Sequence, residues 1–336
     1  MVVDTVEKRQ IGIDYLKVFG IYLMILGHNS FLPDNLETII YSFHMPLFFF
    51  ISGLLYKDKN PYSIIKSSSY SLLLPYLLIN MVCLGLWIVT EYIHGALCFE
   101  NVLSKIGAIL LGLGYERFGF SPVCAPTWFF LALFWCRFML SLYSKYCHNK
   151  NTRIIIVIIF IIMTYWMRKA DIIIPYAFSS AIMALPIMIF AYEFKKHILT
   201  KHTNSKEILI SIISLLIAFV SFIFNNKIGR CDIDAVWFGK SLLLFYIDAI
   251  ASCIFLCVLF KNITYKSTFI FNISTGTIAI VGFHLTIAYY VCKILLLFSD
   301  CHTVFTAVVT SLITLLLCYP VIIFCKRYFP AILGKK

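Results

Sequence analysis

Ile11-Gly12-Ile13-Asp14-Tyr15-Leu16-Lys17-Val18-Phe19-Gly20-Ile21-Tyr22-Leu23-Met24-Ile25-Leu26-Gly27-His28-Asn29-Ser30-Phe31 is an apolar run long enough to cross a bilayer, with Asp14, Lys17 and His28 inside it. A helix that only anchors a chain has no use for such groups. Each charge near mid-membrane costs about 2.5–3.5 kcal/mol on insertion scales, so ionisable residues there mark a functional site by default. At about 100° per residue, the step from Lys17 to His28 returns to the same helix face within about 20°. Asp14 lies one turn before Lys17 on nearly the same face. The competing reading is an acid–base pair snorkelling at one interface and a histidine at the other.

The rest of the chain has the same character. Of its 336 residues, 61% are hydrophobic and only 13% charged, and the mean hydropathy is +0.91. That composition excludes a soluble domain of this length and predicts an all-α polytopic transmembrane helical bundle. Runs of apolar residues place about ten spans, at roughly 11–31, 37–56, 70–93, 127–146, 153–168, 172–192, 207–224, 237–260, 272–298 and 303–325. The fifth, Ile154 to Trp166, is short for a full crossing. The first apolar segment holds Asp14 and Lys17 and no small-residue cleavage site follows it, so it is expected to remain as a transmembrane helix. Repeats and a soluble domain are absent, which predicts one domain over 1–336. The long extramembrane stretch is 94–126, with an amphipathic segment (Val102 to Leu113) followed by a Gly/Pro-rich loop, Gly112 to Pro126.

The net charge of +12 is distributed by side. Lys57, Lys59, Lys66, Lys145, Lys150, Arg153, Lys195, Lys196, Lys326 and Arg327 fall on the side of the N-terminus; Lys105, Arg117, Arg168, Lys169 and Arg230 fall on the other. By the positive-inside rule both termini are expected to be cytoplasmic and the 94–126 loop extracytoplasmic. Topology explains the basic excess, and no nucleic-acid partner is needed. Twelve cysteines include no C-x-x-C pair, and most lie in spans as small hydrophobes. Cys98, Cys124, Cys231 and Cys301 all map to the outer side, where one or two disulfides can form if that face is oxidising.

Two further histidines fall inside spans. His44 is expected at a depth similar to His28 in the antiparallel neighbour, and His284 near mid-membrane, after the small polar run Ser274-Thr275-Gly276-Thr277. Three intramembrane histidines with an Asp/Lys pair below them point to a shared polar pocket. Imidazole suits general-base work because its ordinary pKa of about 6.5 lies near operating pH. Lys17 can stabilise a partner carboxylate or a developing oxyanion; Asp14 can hold Lys17 or set a histidine tautomer. Arg137 and Asp248, both deep in spans, are expected to pair structurally. In the outer Cys231-Asp232-Ile233-Asp234 stretch, the two acids bind sugar hydroxyls or a cation, or simply face solvent.

These residues also carry a resemblance. Lys17, ten intervening residues and His28 resemble the basic-x10-His signature of the membrane-bound acyltransferase-3 family. Phe43-His44-Met45-Pro46-Leu47-Phe48-Phe49-Phe50-Ile51-Ser52-Gly53 resembles its second-helix motif, and Pro126-Thr127-Trp128-Phe129-Phe130 its Trp-Phe-Leu motif. Asn272 to Leu285 is similar to its late small-polar run ending in His-Leu. The four motifs stand in family order over Ile13 to Leu285. The resemblance implies an O-acetyltransferase of the bacterial inner membrane. It would move acetyl from cytoplasmic acetyl-CoA, with no metal, to a hydroxyl of a surface polysaccharide or its lipid-linked precursor. By analogy His28 is the catalytic base, Asp14 and Lys17 support it, and His44, Trp128, Ser274 and His284 line the substrate path. Membrane lipid and the envelope carbohydrate are the implied partners. Lys17 stands where Arg is more usual, a point charge in place of a bidentate fork. After the second span, Lys66 alone stands where relatives often carry several basic residues. Lys57 and Lys59 can join it in holding coenzyme-A phosphates, or can lie there for topology alone. The rival reading is a transporter or flippase using the same His, Asp and Lys side chains as proton relay or substrate site.

Overall fold

The computed structural model describes residues 10–200, 204–225, 230–297 and 303–335. Among them every apolar run becomes helix, and the only extended pairings are two isolated bridges in loops. The helices are α1 (Ile11–Gly27), α2 (Asp34–Leu54), α3 (Pro61–Ser68), α4 (Leu74–Ile93), α5 (Phe99–Leu111), α6 (Trp128–Tyr146) and α7 (Lys150–Lys169). They continue as α8 (Phe178–Leu199), α9 (Asn204–Asn225), α10 (Leu242–Phe260), α11 (Thr268–Thr275), α12 (Thr277–Leu296) and α13 (Val304–Tyr328).

Among the described residues nine helical stretches are long and apolar enough to cross a membrane, α3 and α4 counting as one. The 17-residue α1 is shorter, but at 1.5 Å per residue it is about 25 Å long, the low end of the spanning range. It packs along α2 and, with the nine, brings the bundle to the expected size. Gln10 and Lys335 line one vestibule, so both described ends lie on one side, as an even number of crossings requires. That side also carries Lys57, Lys195 and Lys196, and is called the basic end below.

Local chemistry moves several boundaries. The fifth span is a full 20-residue helix, because Asn149 caps its start and Lys150–Arg153 extend it beyond the apolar core. The sixth starts late, at Phe178, because Tyr176 and Ala177 take left-handed φ values of 60° and 52°. The third reaches back to Pro61 through a π-helical turn, Ser69–Leu73, just before Pro75. Pro75 has no N–H to donate, and a π turn is one way a membrane helix absorbs such a gap. The ninth run breaks at Gly276 into α11 and α12. In the 94–126 loop the helix runs Phe99–Leu111 and stops at Gly112, whose φ of 66° closes the turn through Leu113 N–H to the Ala108 carbonyl at 3.0 Å.

α8 is the centre of the bundle, with every residue from Ser179 to Ile189 buried. It meets α2 closely because Gly53 has no side chain: a Cβ there would lie 2.3 Å from the Met188 carbonyl oxygen. α7 and α9, by contrast, keep their apolar faces exposed, as lipid-facing helices do. At the far end of α1, Asn29 Nδ2 donates to Thr310 Oγ1 at 2.5 Å, Ser311 Oγ at 3.1 Å and the Ala307 carbonyl at 3.2 Å. This buried amide ties the end of α1, next to His28, to α13. Among the described residues no disulfide links the outer cysteines. Cys98 and Cys124 are free thiols, the first exposed and the second turned onto the Gly282 carbonyl at 3.3 Å. The Cys231 sulfur accepts from Asn225 Nδ2 at 3.6 Å, and Cys301 lies outside the described residues.

Candidate active site

The charged face of α1 opens onto two adjoining cavities. The first, of about 820 Å³, runs along α1, α2 and α6, from Lys17 and Arg137 at its floor past Met45 and Phe129 to His28, Tyr41 and a polar mouth. The second, of about 1130 Å³, is the vestibule at the basic end, lined by Asp14, Lys57, Lys195, Lys196, Ser274 and Lys335 among others. Lys17 lines both cavities and marks the join.

His28 follows the last turn of α1 and keeps accessible surface on the first cavity. Its Nδ1 is 3.0 Å from the Tyr41 hydroxyl. His44 stands edge-on to Tyr41, ring centroids 4.8 Å apart, and His284 lies 5.5 Å from His28, centroid to centroid. Both outer imidazoles have Nδ1 2.8 Å from a carbonyl one turn back, Ile40 for His44 and Ile280 for His284. A carbonyl only accepts, so Nδ1 carries the hydrogen in each and the lone pair is on Nε2. The His284 Nε2 is buried with no hydrogen-bond partner among the described residues.

The mouth is built from the loop before α10. Arg230 lies over the Tyr41 ring, 4.3 Å from its centroid, and pairs with Glu37 and, at 3.7 Å, with Asp232. Asp232 Oδ1 in turn accepts from the Asp234 backbone N–H at 3.0 Å. Asp234 is buried and fits because its neighbour is Gly114; a Cβ there would lie 2.1 Å from Asp234 Oδ2. Burial, reinforced by the charge of Asp232, pushes the Asp234 carboxyl well above the ordinary carboxylate range. Asp232 is also raised by burial, with Arg230 opposing.

The sequence-selected residues divide accordingly. His28, His44 and Trp128 line the first cavity, and His284 supports it from behind. Asp14 is buried at the vestibule and accepts from Ser274 Oγ at 2.5 Å, so that hydroxyl is engaged with the acid of α1. Of the three lysines considered for coenzyme A, only Lys57 lines the vestibule; Lys59 and Lys66 are exposed outside both cavities. Lys195, Lys196 and Lys335 line the vestibule beside it, and nothing in the local sequence marks them beyond their positive charge. The expected Arg137–Asp248 pair does not form. Asp248 Oδ1 accepts from Ser252 Oγ at 3.2 Å, one turn along its own helix, while Arg137 lines the cavity floor. The two outer acids are in the site and not a solvated loop. Tyr41 and Arg230 escape sequence reasoning altogether: the aromatic run of α2 and a loop far along the chain meet only in the fold. Among the described residues no three His, Cys, Asp or Glu side chains gather to hold a metal ion.

A cluster of imidazoles, two buried and one open to a cavity that reaches a basic vestibule, can remove a proton from a hydroxyl while holding an anionic reactant at the other end. Compared with known families, residues 10–323 match the acyltransferase domain of the acyltransferase-3 family. A comparison with curated proteins and one with solved structures give no match. The match takes in α1 with Lys17 and His28, the mouth and most of α13, and it favours group transfer over the transporter reading. The chain therefore belongs to the membrane-bound acyltransferase-3 family and is a multi-pass membrane acyltransferase.

Proposed function

We propose that the protein transfers an acetyl group from cytoplasmic acetyl-CoA to a hydroxyl of an envelope carbohydrate or its lipid-linked precursor, in a bacterial inner membrane. The observation that carries this reading is that Lys17 joins the basic vestibule to the cavity on which His28 opens. Lys57, Lys195, Lys196 and Lys335 supply cations for the phosphates of the donor at the basic end, taken as cytoplasmic from the charge bias. The thioester arm passes Lys17 toward His28. There the acceptor hydroxyl attacks the thioester carbonyl as His28 takes its proton. Collapse of the tetrahedral intermediate breaks the carbon–sulfur bond, and the imidazolium returns the proton to the departing thiolate.

The mouth favours a neutral, hydroxyl-rich acceptor. Arg230 is already paired there with Glu37 and Asp232, so its charge is compensated and an acidic sugar or phosphate group beside the base is disfavoured. Trp128, on the same cavity, offers an aromatic face for a sugar ring. The test is acetyl-CoA-dependent incorporation of labelled acetate into surface polysaccharide by membranes containing the protein. Incorporation that requires the protein supports the reading; none, with a stably inserted protein and the cell's own glycolipid as acceptor, contradicts it.

A further inference from the structure

Arg137 is an arginine in the middle of a membrane helix, on the floor of the His28 cavity. Among the described residues no carboxylate lies within ion-pair distance of it and no hydrogen-bond acceptor is found for it. All four acids on the cavity lining, Asp34, Glu37, Asp232 and Asp234, belong to the second helix's start and the mouth loop. The charged residues of the floor are both cations, Lys17 and Arg137. An intramembrane guanidinium without a counter-ion is costly, and one that opens on a cavity has its counter-ion supplied by what enters.

The packing of α2 against α6 sets its level. Both helices run from the mouth toward the basic end, and the Phe129 ring lies 5.9 Å from Phe48 and 5.2 Å from Phe49. Tyr41, which holds His28, is seven residues toward the mouth from Phe48, about 11 Å of helix. Arg137 is eight residues toward the basic end from Phe129, about 12 Å. That brings it level with Tyr56, with which it interacts electrostatically. Arg137 and His28 line the same cavity, the guanidinium toward the basic end and the imidazole toward the mouth. The levels of Tyr41 and Arg137 are thus about 20 Å apart along the bundle, and the rigid five-donor fork at the inner end matches phosphate oxygens.

We propose that Arg137 binds the diphosphate of the coenzyme A donor, so that the donor is drawn through the vestibule until its thioester reaches His28. This rests on the acyl-CoA reading above and adds to it the residue that sets how deep the donor sits. The charge missing after the second span, where Lys66 stands alone, is supplied from α6 instead.

The experiment measures equilibrium binding of two probes, coenzyme A and pantetheine, to the purified full chain. Pantetheine carries the same arm and thiol but no diphosphate. Wild type binds coenzyme A the more tightly. Arg137→Gln weakens coenzyme A by about 10- to 100-fold, the loss of a charge-assisted bidentate contact, and leaves pantetheine within about twofold. Arg137→Lys falls between, and decides the matter alone if the glutamine variant fails to insert. Equal losses for both probes, or no loss for coenzyme A, overturn the assignment while leaving the donor reading intact. Failure of wild type to bind coenzyme A at all removes the donor reading, and this assignment with it.

Discussion

The Tyr41 hydroxyl lies 3.0 Å from His28 Nδ1, and the guanidinium of Arg230 lies over the same tyrosine ring. The base form of His28 that presents its lone pair on Nε2 is the one in which Nδ1 donates to the phenol oxygen. Tyr41 thus stands to His28 as an orienting residue, itself held by a loop residue from far along the chain. Replacing Tyr41 by Phe keeps the ring and removes only the hydroxyl. It is expected to lower kcat for acetyl transfer by about tenfold, one hydrogen bond's worth of orientation, with little change in the KM for acetyl-CoA. An unchanged kcat in steady-state assays would show that the phenol does not position the base.

Ser274→Ala tests what holds the acid of the α1 stripe. The Ser274 hydroxyl donates to the buried Asp14 carboxylate at 2.5 Å, and its loss leaves that oxygen with one partner fewer. A charge-assisted bond of this kind contributes about 1.5–3 kcal/mol. The variant is expected to melt several degrees lower in detergent, while Ser274→Thr, which keeps the hydroxyl, stays near wild type. Equal melting of the alanine variant and wild type would place the acid's support elsewhere.

Gly53→Ala tests the close approach of α2 and α8. The added methyl would meet the Met188 carbonyl oxygen at 2.3 Å and Ala191 Cβ at 2.9 Å, backbone and helix surface that have no free rotor to turn away. Overpacking of this kind costs about 1–3 kcal/mol. Thermal unfolding followed by fluorescence should show the loss; a variant as stable as wild type would mean that the two helices separate freely.

The α1 stripe is legible in the sequence because burying charge in a membrane is costly enough to be noticed without a partner in view. Periodicity places Asp14, Lys17 and His28 on one face, and helix count follows from run length. Pairings made across the chain do not show. Arg230 meets Tyr41, and Asn29 anchors the end of α1 through Thr310 and Ser311, contacts that no local pattern announces. Arg137 and Asp248 match in charge and depth, but the acid turns to Ser252 on its own helix and the guanidinium to the cavity. Helix ends at Phe178 and Gly276 depend on backbone conformation, which hydropathy does not record.

Asp234→Asn tests the buried acid at the mouth through pH. Its folded pKa is raised, chiefly by burial and then by Asp232, above the unfolded value of about 3.9. Below that value the carboxyl is neutral in both states and its contribution is fully present; as pH rises toward the folded value, the unfolded state alone ionises and stability falls. Asparagine cannot ionise, so the variant should match wild type near pH 4 and exceed it increasingly above. Roughly 2–4 °C in melting temperature corresponds to about 1 kcal/mol for a chain longer than 150 residues. A pH–stability profile that overlays wild type throughout would mean that Asp234 ionises freely in the fold.

The most direct measurement of the central claim is single-turnover acetyl transfer from labelled acetyl-CoA by His28→Ala, set beside wild type and His44→Ala at matched insertion and melting temperature. His28→Ala is expected to lose about 10²- to 10⁴-fold in the transfer step while coenzyme A binding is kept. His44→Ala, whose Nδ1 is committed to the Ile40 carbonyl, should lose less. Transfer by the folded His28→Ala protein at the wild-type rate would contradict the assignment of His28 as the base.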